Sequence, residues 1–284
     1  MNSIEMLLKS AHLPESSSPR LDAELLLAQV LGKPRSFLRT WPEHAPTDAQ
    51  QAQFLALLAR RRAGEPVAYL LGAQGFWTLN LEVAPHTLIP RPDTELLVET
   101  ALALCPATPA AVLDLGTGSG AIALALASER PAWQLLGVDR VPEAVALAER
   151  NRVRLGLENA RFLHSAWFSA LSAEKTRFQM IVGNPPYIAA DDPHLQHGDV
   201  RFEPLSALVA GADGLEDVRH IVRAAPAYLL AGGWLLLEHG YDQADAVQAL
   251  FMAAGFEAVE SRRDLGGNWR ITLGQWRNAD DDVK

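Results

Sequence analysis

The sequence predicts an α/β fold, namely a doubly wound, mainly parallel sheet preceded by a small N-terminal all-α domain. From residue 110 onward, short apolar runs alternate with longer amphipathic segments, which is the strand and helix alternation of a parallel sheet. Residues 1–72 show helical patterning and contain no run of strand type. A glycine-rich turn joins the first predicted strand of the sheet to its first helix, as in nucleotide-binding units.

Residues 1–75 are predicted to form the helical domain. Apolar residues at helical spacing occupy one face of residues 21–31, and Gly32 follows them as a stop signal. Thr47 and Gln50 have the spacing of a capping box at the start of another helix. That helix is expected to end at Gly64-Glu65-Pro66, because glycine and proline are poor helix formers.

Residues 76–92 are predicted to link the two domains through a hairpin, since apolar and polar residues alternate from Phe76 to Val83. Residues 93–277 then form the sheet domain, and the charged tail 278–284 is expected to be disordered. The predicted strands cover residues 110–113, 133–138, 160–164, 178–182, 233–238, 256–260 and 269–273. The predicted helices cover residues 121–130, 142–155, 215–230 and 243–254.

The glycine-rich turn reads Asp114-Leu115-Gly116-Thr117-Gly118-Ser119-Gly120. Glycine permits positive φ and close approach of the backbone to a ligand. The G-x-G-x-G spacing differs from the G-x-G-x-x-G of dinucleotide sites, and the Gly-Lys-Ser/Thr ending of a Walker loop is absent. We therefore expect this turn to shape a ligand pocket of another kind, with contributions from Gly116, Thr117, Gly118, Ser119 and Gly120.

An acidic residue, Asp139, follows the second predicted strand and lies 21 residues after Gly118. This distance is close to the roughly 20 residues expected for an acid that binds ribose hydroxyls. A solvated acid at a strand end is the alternative. Together with the glycine turn, the position of Asp139 favours the ribose ligand.

The tetrapeptide Asn184-Pro185-Pro186-Tyr187 lies at the carboxyl end of the predicted strand 178–182, where ligands bind in open α/β sheets. The two prolines fix φ and contribute no N–H donor, so the loop presents carbonyl acceptors in a stiff frame. Asn184 adds a side-chain acceptor and Tyr187 a flat ring, which together suit a planar amino group. The alternative is a proline-stiffened loop without chemistry.

The two motifs together resemble those of class I S-adenosylmethionine-dependent methyltransferases. In that family the glycine turn accommodates the methionine part of the cofactor, and the acid after the second strand binds the ribose. The resemblance also implies that Trp167 flanks the adenine, with a plain core tryptophan as the alternative. The Asn-Pro-Pro-Tyr form occurs in members that methylate adenine N6 in DNA or the side-chain amide of glutamine.

Three further segments resemble the peptide chain release factor glutamine methyltransferase family (HemK/PrmC). They are Gly64-Glu65-Pro66-Val67-Ala68-Tyr69-Leu70-Leu71-Gly72, Leu88-Ile89-Pro90-Arg91-Pro92-Asp93-Thr94-Glu95 and Asp199-Val200-Arg201-Phe202-Glu203-Pro204. The match extends from about residue 20 to residue 275. One position departs from the family pattern, because Ala166 stands where an acidic residue often precedes the aromatic. A hydrogen bond from position 166 to the adenine amino group is therefore not expected.

The resemblance implies methylation of the amide nitrogen (N5) of the glutamine in the Gly-Gly-Gln motif of class 1 peptide chain release factors. S-adenosylmethionine is the implied cofactor, and the N-terminal helices would dock the protein substrate; the alternative is that they only cap the sheet. The Asn184 side-chain oxygen and the Pro185 carbonyl are expected to accept the two amide hydrogens. Pro186 completes the substrate loop, and Tyr187 is expected to pack on the amide plane.

Two residues near the start of the sheet domain, Arg91 and Glu95, are expected to border the cofactor pocket. The alternatives are an ion pair with a surface acid for Arg91 and an ordinary first-turn helix charge for Glu95. Glu238-His239 ends a predicted strand near the same edge and is expected to be structural, because this methyl transfer does not require a base.

Charge argues against a nucleic-acid substrate. The net charge is −9, and the first 80 residues hold 8 basic and 7 acidic side chains, so the excess acid lies in the sheet domain. A duplex DNA enzyme carries a basic footprint that neutralises phosphates. A DNA adenine-N6 methyltransferase is nevertheless the alternative function, and a non-enzymatic module with a nucleotide-binding fold is a second one.

Composition also predicts the compartment. The single cysteine, Cys105, excludes an internal disulfide and fits a reducing, cytoplasmic environment. No signal peptide, membrane span or membrane partner is expected, because no apolar run approaches 18 residues. No His/Cys spacing resembles a metal site.

Overall fold

The computed structural model describes residues 2–105 and 108–277. These residues group into two compact units. The first unit comprises residues 2–74 together with Pro193–Phe202, and the second comprises Gly75–Asp192 and the described residues from Glu203 onward. The predicted disordered tail, residues 278–284, lies outside the described residues.

The first unit is helical. Its helices are α1 (Ile4–Ser10), α2 (Pro19–Leu31), α3 (Arg35–Thr40), α4 (Asp48–Arg62) and α5 (Val67–Leu71). Their apolar faces meet in a core that includes Leu27 and Phe54, both fully buried. Gly32 ends α2 with a left-handed φ of 61°. Thr47 and Gln50 form the capping box that begins α4. The predicted helix signals are therefore confirmed.

Arg61 of α4 ties the segment Pro193–Phe202 to the helices of the first unit. Its Nε lies 2.8 Å from Asp22 Oδ2, and its Nη1 lies 2.9 Å from Asp199 Oδ1. The Arg61 side chain is only 12% exposed. Its neighbour Arg60 is 54% exposed and pairs with Glu65.

The second unit begins with a hairpin and continues as an α/β sheet. The hairpin consists of β1 (Ala73–Phe76) and β2 (Leu79–Glu82). The sheet strands are β3 (Ala111–Leu115), β4 (Gln134–Asp139), β5 (Ala160–His164), β6 (Phe178–Gly183), β7 (Leu229–Glu238), β8 (Phe256–Arg263) and β9 (Trp269–Trp276). Their spatial order is β5-β4-β3-β6-β7-β9-β8. The pairs from β5 to β7 are parallel, and β9 runs antiparallel to both neighbours.

Successive residues of a central strand pack into different apolar clusters, as expected when both faces of a sheet are covered. Met180 and Val182 belong to one cluster, whereas Ile181 belongs to the other. The helices of this unit are α6 (Glu95–Leu104), α7 (Ala121–Glu129), α8 (Pro142–Leu155), α9 (Glu216–Ala224) and α10 (Ala244–Ala253). The first cluster includes residues of α6 and α7, and the second includes residues of α9 and α10. The doubly wound, mainly parallel sheet is thereby confirmed.

The predicted helix 215–230 is wrong in its second half. Helix α9 ends at Ala224, a 3-10 turn covers Ala225–Tyr228, and β7 starts at Leu229. Pro226 explains this end, because proline lacks an N–H donor and its ring disfavours a helical residue before it. Strand β7 also starts earlier than the predicted residue 233. Its register shifts between the pairs at Phe178 and Met180, which accommodates Gly232 at a φ of 75°.

Two kinds of feature are absent from the described residues. No helix there is long and apolar enough to cross a membrane. No group of three or more His, Cys, Asp or Glu side chains within the same ranges is arranged to hold a metal ion.

Candidate active site

The segments with predicted chemistry meet at the carboxyl edge of the sheet. In the parallel register, Leu115 of β3 pairs with Val138 of β4 and with Gly183 of β6. The glycine turn, Asp139 and Asn184 therefore leave neighbouring strands side by side. The strand order reverses around β3, and such a switch point is the usual ligand site of an open α/β sheet.

An open cavity with about 880 Å³ of empty space, part of it continuous with solvent, lies at this edge. Most of the predicted site residues line it, namely Gly116, Thr117, Gly118, Ser119, Asp139, Trp167, Asn184 and Pro186. Gly120, Pro185 and Tyr187 are not among its lining residues. Arg91 lines it as expected, whereas Glu95 does not and instead accepts a hydrogen bond from the Trp77 backbone N at 2.7 Å.

Backbone hydrogen bonds fold the glycine turn around the end of β4. The N–H groups of Gly116 and Thr117 both donate to the Val138 carbonyl at 2.9 Å. Gly120, at a φ of 85°, begins α7, and a Cβ there would lie 2.9 Å from Leu124 Cδ1. Glycine is therefore required at position 120 both by backbone conformation and by packing. Its role is to hold the turn rather than to contact the cavity.

Asp114, in strand β3, anchors the same turn through its buried side chain. Its Oδ2 accepts from Thr117 Oγ1 at 2.6 Å and from the Ala123 backbone N at 3.2 Å. Its Oδ1 is buried and has no hydrogen-bond partner among the described residues. Burial raises the pKa of Asp114 to about 7, and its two hydrogen bonds only partly oppose this rise.

Asp139 holds two loops at once. Its Oδ2 accepts from the Gly118 backbone N at 2.9 Å, and its Oδ1 accepts from the Val141 backbone N at 2.9 Å. A carboxylate has about four acceptor positions, so each oxygen keeps a lone pair for a further donor. The side chain lines the cavity and is therefore available to hydroxyl groups of a ligand.

Trp167 stands over the glycine turn in a constrained conformation. Its φ is 52°, a left-handed value that a large side chain seldom adopts. The Ser165 hydroxyl donates to the Trp167 carbonyl at 2.8 Å, and the Trp167 side chain hydrogen-bonds Asp217. A Cβ on Gly116 would lie 3.4 Å from the indole ring. The ring therefore forms one wall of the cavity.

The Asn184 loop is fixed by hydrogen bonds at both ends. Asn184 Nδ2 donates to Thr94 Oγ1 at 3.3 Å. The Tyr187 hydroxyl donates to Glu238 Oε1 at 3.2 Å, and the Tyr187 carbonyl accepts from Gln243 Nε2 at 3.0 Å. Burial raises the pKa of Tyr187, and the nearby Glu238 carboxylate raises it further. Tyr187 therefore remains a neutral donor.

Several contacts at the site were not found by reasoning from the sequence. Arg91 pairs with the buried Glu203, which also accepts from the Ile89 backbone N at 2.9 Å. Thr94 and Asp217 contact predicted residues without belonging to a recognisable chemical motif. The segment 88–95 carries part of the family resemblance, but the partners of Arg91 and Thr94 lie 112 and 90 positions away and leave no local signal.

Comparison with protein families covers both units. Residues 4–72 match the family described as PrmC N-terminal domain, and residues 92–199 match the methyltransferase small domain. The release factor glutamine methyltransferase of Pseudomonas aeruginosa is 68% identical over 276 residues, covering 97% of this chain and 99% of the relative. The protein of that name from Escherichia coli K12 is 55% identical over 266 residues, covering 94% and 95% respectively.

A solved structure shares the fold. It is the T. thermophilus 16S rRNA N2 G1207 methyltransferase in complex with AdoMet and guanosine. The TM-score is 0.52 and the sequence identity is 23%, with 72% of this chain and 50% of that chain covered. At this identity the likeness concerns the fold alone.

Proposed function

Because the chain belongs to the release factor glutamine methyltransferase family, we propose that it methylates a glutamine side-chain amide of class 1 peptide chain release factors. The acceptor is N5 of the glutamine in the Gly-Gly-Gln motif, and the methyl donor is S-adenosylmethionine. The resemblance inferred from the sequence motifs is thus confirmed at the level of the family. The proposal rests above all on the Asn184 carboxamide, which borders the cavity with its nitrogen already engaged by Thr94.

The cavity suits S-adenosylmethionine. A Cβ on Gly118 would meet nothing closer than Thr87 at 4.0 Å, so the turn leaves open space for a ligand. We assign the methionine part of the cofactor to this turn, the ribose hydroxyls to the remaining acceptor positions of Asp139, and the adenine to the Trp167 ring. When bound, the cofactor supplies a sulfonium methyl group as the electrophile.

Asn184 acts by orientation. Since Nδ2 donates to Thr94, Oδ1 is the free group of the carboxamide and accepts one hydrogen of the substrate amide. The Pro185 carbonyl accepts the other hydrogen. Two acceptors on the N–H bonds also favour the positive charge that develops on nitrogen during attack. Tyr187, anchored through its hydroxyl, offers its ring as a wall for the amide plane.

Positioning supplies the rate enhancement, because an amide nitrogen is a poor nucleophile. Holding the nitrogen and the methyl carbon in line at near contact lowers the barrier by several kcal/mol, within the range of about 7–11 kcal/mol available from proximity. As the N–C bond forms, the S–C bond breaks and its electrons remain on sulfur. The proton on the alkylated nitrogen is acidic and leaves to water, so the loop needs acceptors but no strong base.

The partner and compartment follow from the proposed substrate. We assign docking of the release factor to the helices of the first unit. The loop that carries the acceptor glutamine is assigned to the cavity of the second unit. The protein then works in the cytoplasm, where translation ends. A DNA substrate is disfavoured because the net charge of −9 opposes contact with phosphates.

Competition between substrates tests the proposal. The full-length enzyme is incubated with labelled S-adenosylmethionine and equal amounts of purified release factor and plasmid DNA. We expect label in the release factor alone, and a release factor whose Gly-Gly-Gln glutamine is replaced by alanine is the matched control that stays unlabelled. Label in DNA adenine with none in the protein would overturn the proposal.

A further inference from the structure

We propose that Glu238 is a positioning residue that fixes the orientation of the Asn184 carboxamide, acting through Thr94 and Tyr187. This inference rests on the proposed function, because it specifies how the acceptor loop, residues 184–187, is held in place for the substrate amide. Reasoning from the sequence assigned Glu238 a purely structural place at a strand end. Its surroundings in the fold point to a more specific role.

Glu238 lies beside the acceptor loop. It is the last residue of β7, and Leu237 before it pairs with Gly183, the residue before Asn184. Its side chain is buried, with 1% of the residue exposed, so it does not reach the substrate. Oε1 accepts the Tyr187 hydroxyl at 3.2 Å and thereby holds the far end of the loop.

Thr94 connects the same carboxyl group to Asn184. The Thr94 hydroxyl accepts from Asn184 Nδ2 at 3.3 Å, and its interaction with Glu238 lowers the pKa of that carboxyl. Glu238 Oε2 is buried and has no hydrogen-bond partner within the described part of the chain. Thr94 itself is 4% exposed, which leaves water little access to this link.

The direction of the hydrogen bonds follows from the chemistry of the carboxylate. An ionised carboxylate only accepts hydrogen bonds, so it draws the hydroxyl hydrogens of both Thr94 and Tyr187. The Thr94 oxygen then offers a lone pair, which only the amino side of the Asn184 carboxamide can use. Asn184 Oδ1 is left as the acceptor for the substrate, whereas a rotated carboxamide would present a donor and repel the amide N–H.

Protonation of Glu238 weakens this control. A neutral carboxyl offers a donor of its own, and the Thr94 hydroxyl is then free to donate to Asn184 Oδ1. Burial raises the pKa of Glu238 to about 7, against the lowering effects of Thr94, Arg270 and Tyr187, and Asp93 raises it. His239, the next residue, directs its ring nitrogens to Thr272 and to the Gly240 carbonyl and is not part of the link.

The test measures single-turnover methylation of release factor by the full-length wild type and by Glu238→Gln, from pH 6 to pH 8.5. Glutamine keeps the size of the side chain but carries a donor in place of an acceptor. We expect the wild-type rate to fall as pH drops through about 7, as Glu238 becomes protonated. We expect Glu238→Gln to be slower than wild type at pH 8 by about 10-fold, which is less than the effect of losing a direct polar contact. We also expect its rate to lack the fall near pH 7.

Binding of S-adenosylmethionine, measured by calorimetry, separates positioning from structural damage. Glu238→Gln should bind the cofactor within about twofold of wild type, since the glycine turn and Asp139 do not touch Glu238. If Glu238→Gln is unfolded, the comparison of Thr94→Val with Thr94→Ser tests the positioning role instead. The two changes alter the side chain slightly, but only serine keeps the hydroxyl, so Thr94→Ser should methylate at least about 10-fold faster than Thr94→Val.

Failure of the role of Glu238 and failure of the proposed function remain distinguishable. If the wild type methylates the Gly-Gly-Gln glutamine while Glu238→Gln shows the same rate and the same pH profile, the role of Glu238 is wrong and the proposed function stands. Equal rates for Thr94→Val and Thr94→Ser would likewise overturn it. If the wild type does not methylate release factor at all, the proposed function itself fails.

Discussion

Asn184 is the residue on which the proposed chemistry depends most directly. Asn184→Ala removes the acceptor but leaves both prolines and the Tyr187 anchor in place. We expect the single-turnover rate to fall by about 10²-fold or more, the scale for losing one preorganised polar contact, while cofactor affinity changes little. Rapid-quench kinetics with labelled cofactor measure this. A wild-type rate in the variant would show that the loop does not orient the substrate amide.

Asp139 is expected to carry much of the cofactor affinity. Asp139→Ala removes the proposed ribose contacts, each worth roughly 1.5–3 kcal/mol before compensation by water, and also frees the Gly118 N–H. Calorimetric titration should therefore show a dissociation constant at least about tenfold higher, since 1.4 kcal/mol corresponds to a factor of ten. Asp139→Asn, which retains an acceptor, is the matched control. An unchanged constant in folded Asp139→Ala would remove Asp139 from the site.

Asp114 gives a stability prediction with a definite sign. Its pKa rises from 3.8 to about 7 on folding, so the folded state binds the proton more tightly than the unfolded state. The resulting stabilisation is present below about pH 4 and is lost as pH rises to about 7. Asp114→Asn does not ionise, so its stability does not show this loss. In urea unfolding without cofactor, the free energy of unfolding of the variant should rise relative to that of wild type between pH 5 and pH 7. This relative increase should stop above pH 7.5. Parallel pH profiles would contradict the pKa of Asp114.

At the residue scale, sequence patterns identified the groups that border the cavity but not the groups that hold them. Asp139 and Asn184 stand in recognisable spacings directly after strands. Thr94 and Asp217 act through single side-chain contacts made across the fold, at sequence separations of 90 and 50 positions. Glu238 was noticed, but its link to Tyr187 requires the order of the strands, which a single sequence does not display.

At the scale of elements, the interiors of helices and strands were predicted better than their ends. Helix α8 and strand β5 have the predicted bounds, because a glycine or a turn sequence marks each end. The predicted helix 215–230 ends early at Ala224, because Pro226 stops the hydrogen-bond pattern. Strands β8 and β9 each continue three residues beyond the prediction, because their pairing with each other overrides weak local propensity.

The glycine turn and α7 provide a test at this scale. Gly120→Ala places a Cβ 2.9 Å from Leu124 and 3.1 Å from Phe162 at a φ of 85°. Gly156→Ala, with a similar φ of 69° and no atom within 4 Å, carries only the backbone cost of about 1–2 kcal/mol. We expect Gly120→Ala to lose about 1–3 kcal/mol more by overpacking, measured by urea unfolding, and to bind cofactor more weakly. Equal losses for the two variants would show that the turn is not tightly packed.

At the scale of the whole molecule, the grouping of Pro193–Phe202 with the N-terminal helices has no local sequence signal. The segment follows the acceptor loop by only a few residues, and its own pattern is polar and irregular. Its place depends on Arg61, the middle residue of the run Arg60-Arg61-Arg62. Burial of one arginine among three is decided by partners that are distant in sequence, here Asp22 and Asp199.

Arg61→Ala tests the integrity of this first unit. Removing one partner of a buried ion pair costs about 3–5 kcal/mol, because Asp22 remains buried without its cation. We expect lower stability, slower methylation of intact release factor and unchanged affinity for S-adenosylmethionine. Arg60→Ala, whose pair with Glu65 is exposed, is the control and should cost at most about 1 kcal/mol. Equal effects of the two changes would contradict a structural role for Arg61.

The location of the transferred methyl group tests the central claim most directly. After a single turnover of the full-length enzyme with intact class 1 release factor, peptide mass spectrometry identifies the methylated atom. We predict one methyl group on the side-chain amide nitrogen of the Gly-Gly-Gln glutamine and none elsewhere in the release factor. A methyl group on any other residue, or none on the release factor while the enzyme still binds S-adenosylmethionine, would contradict the proposed function.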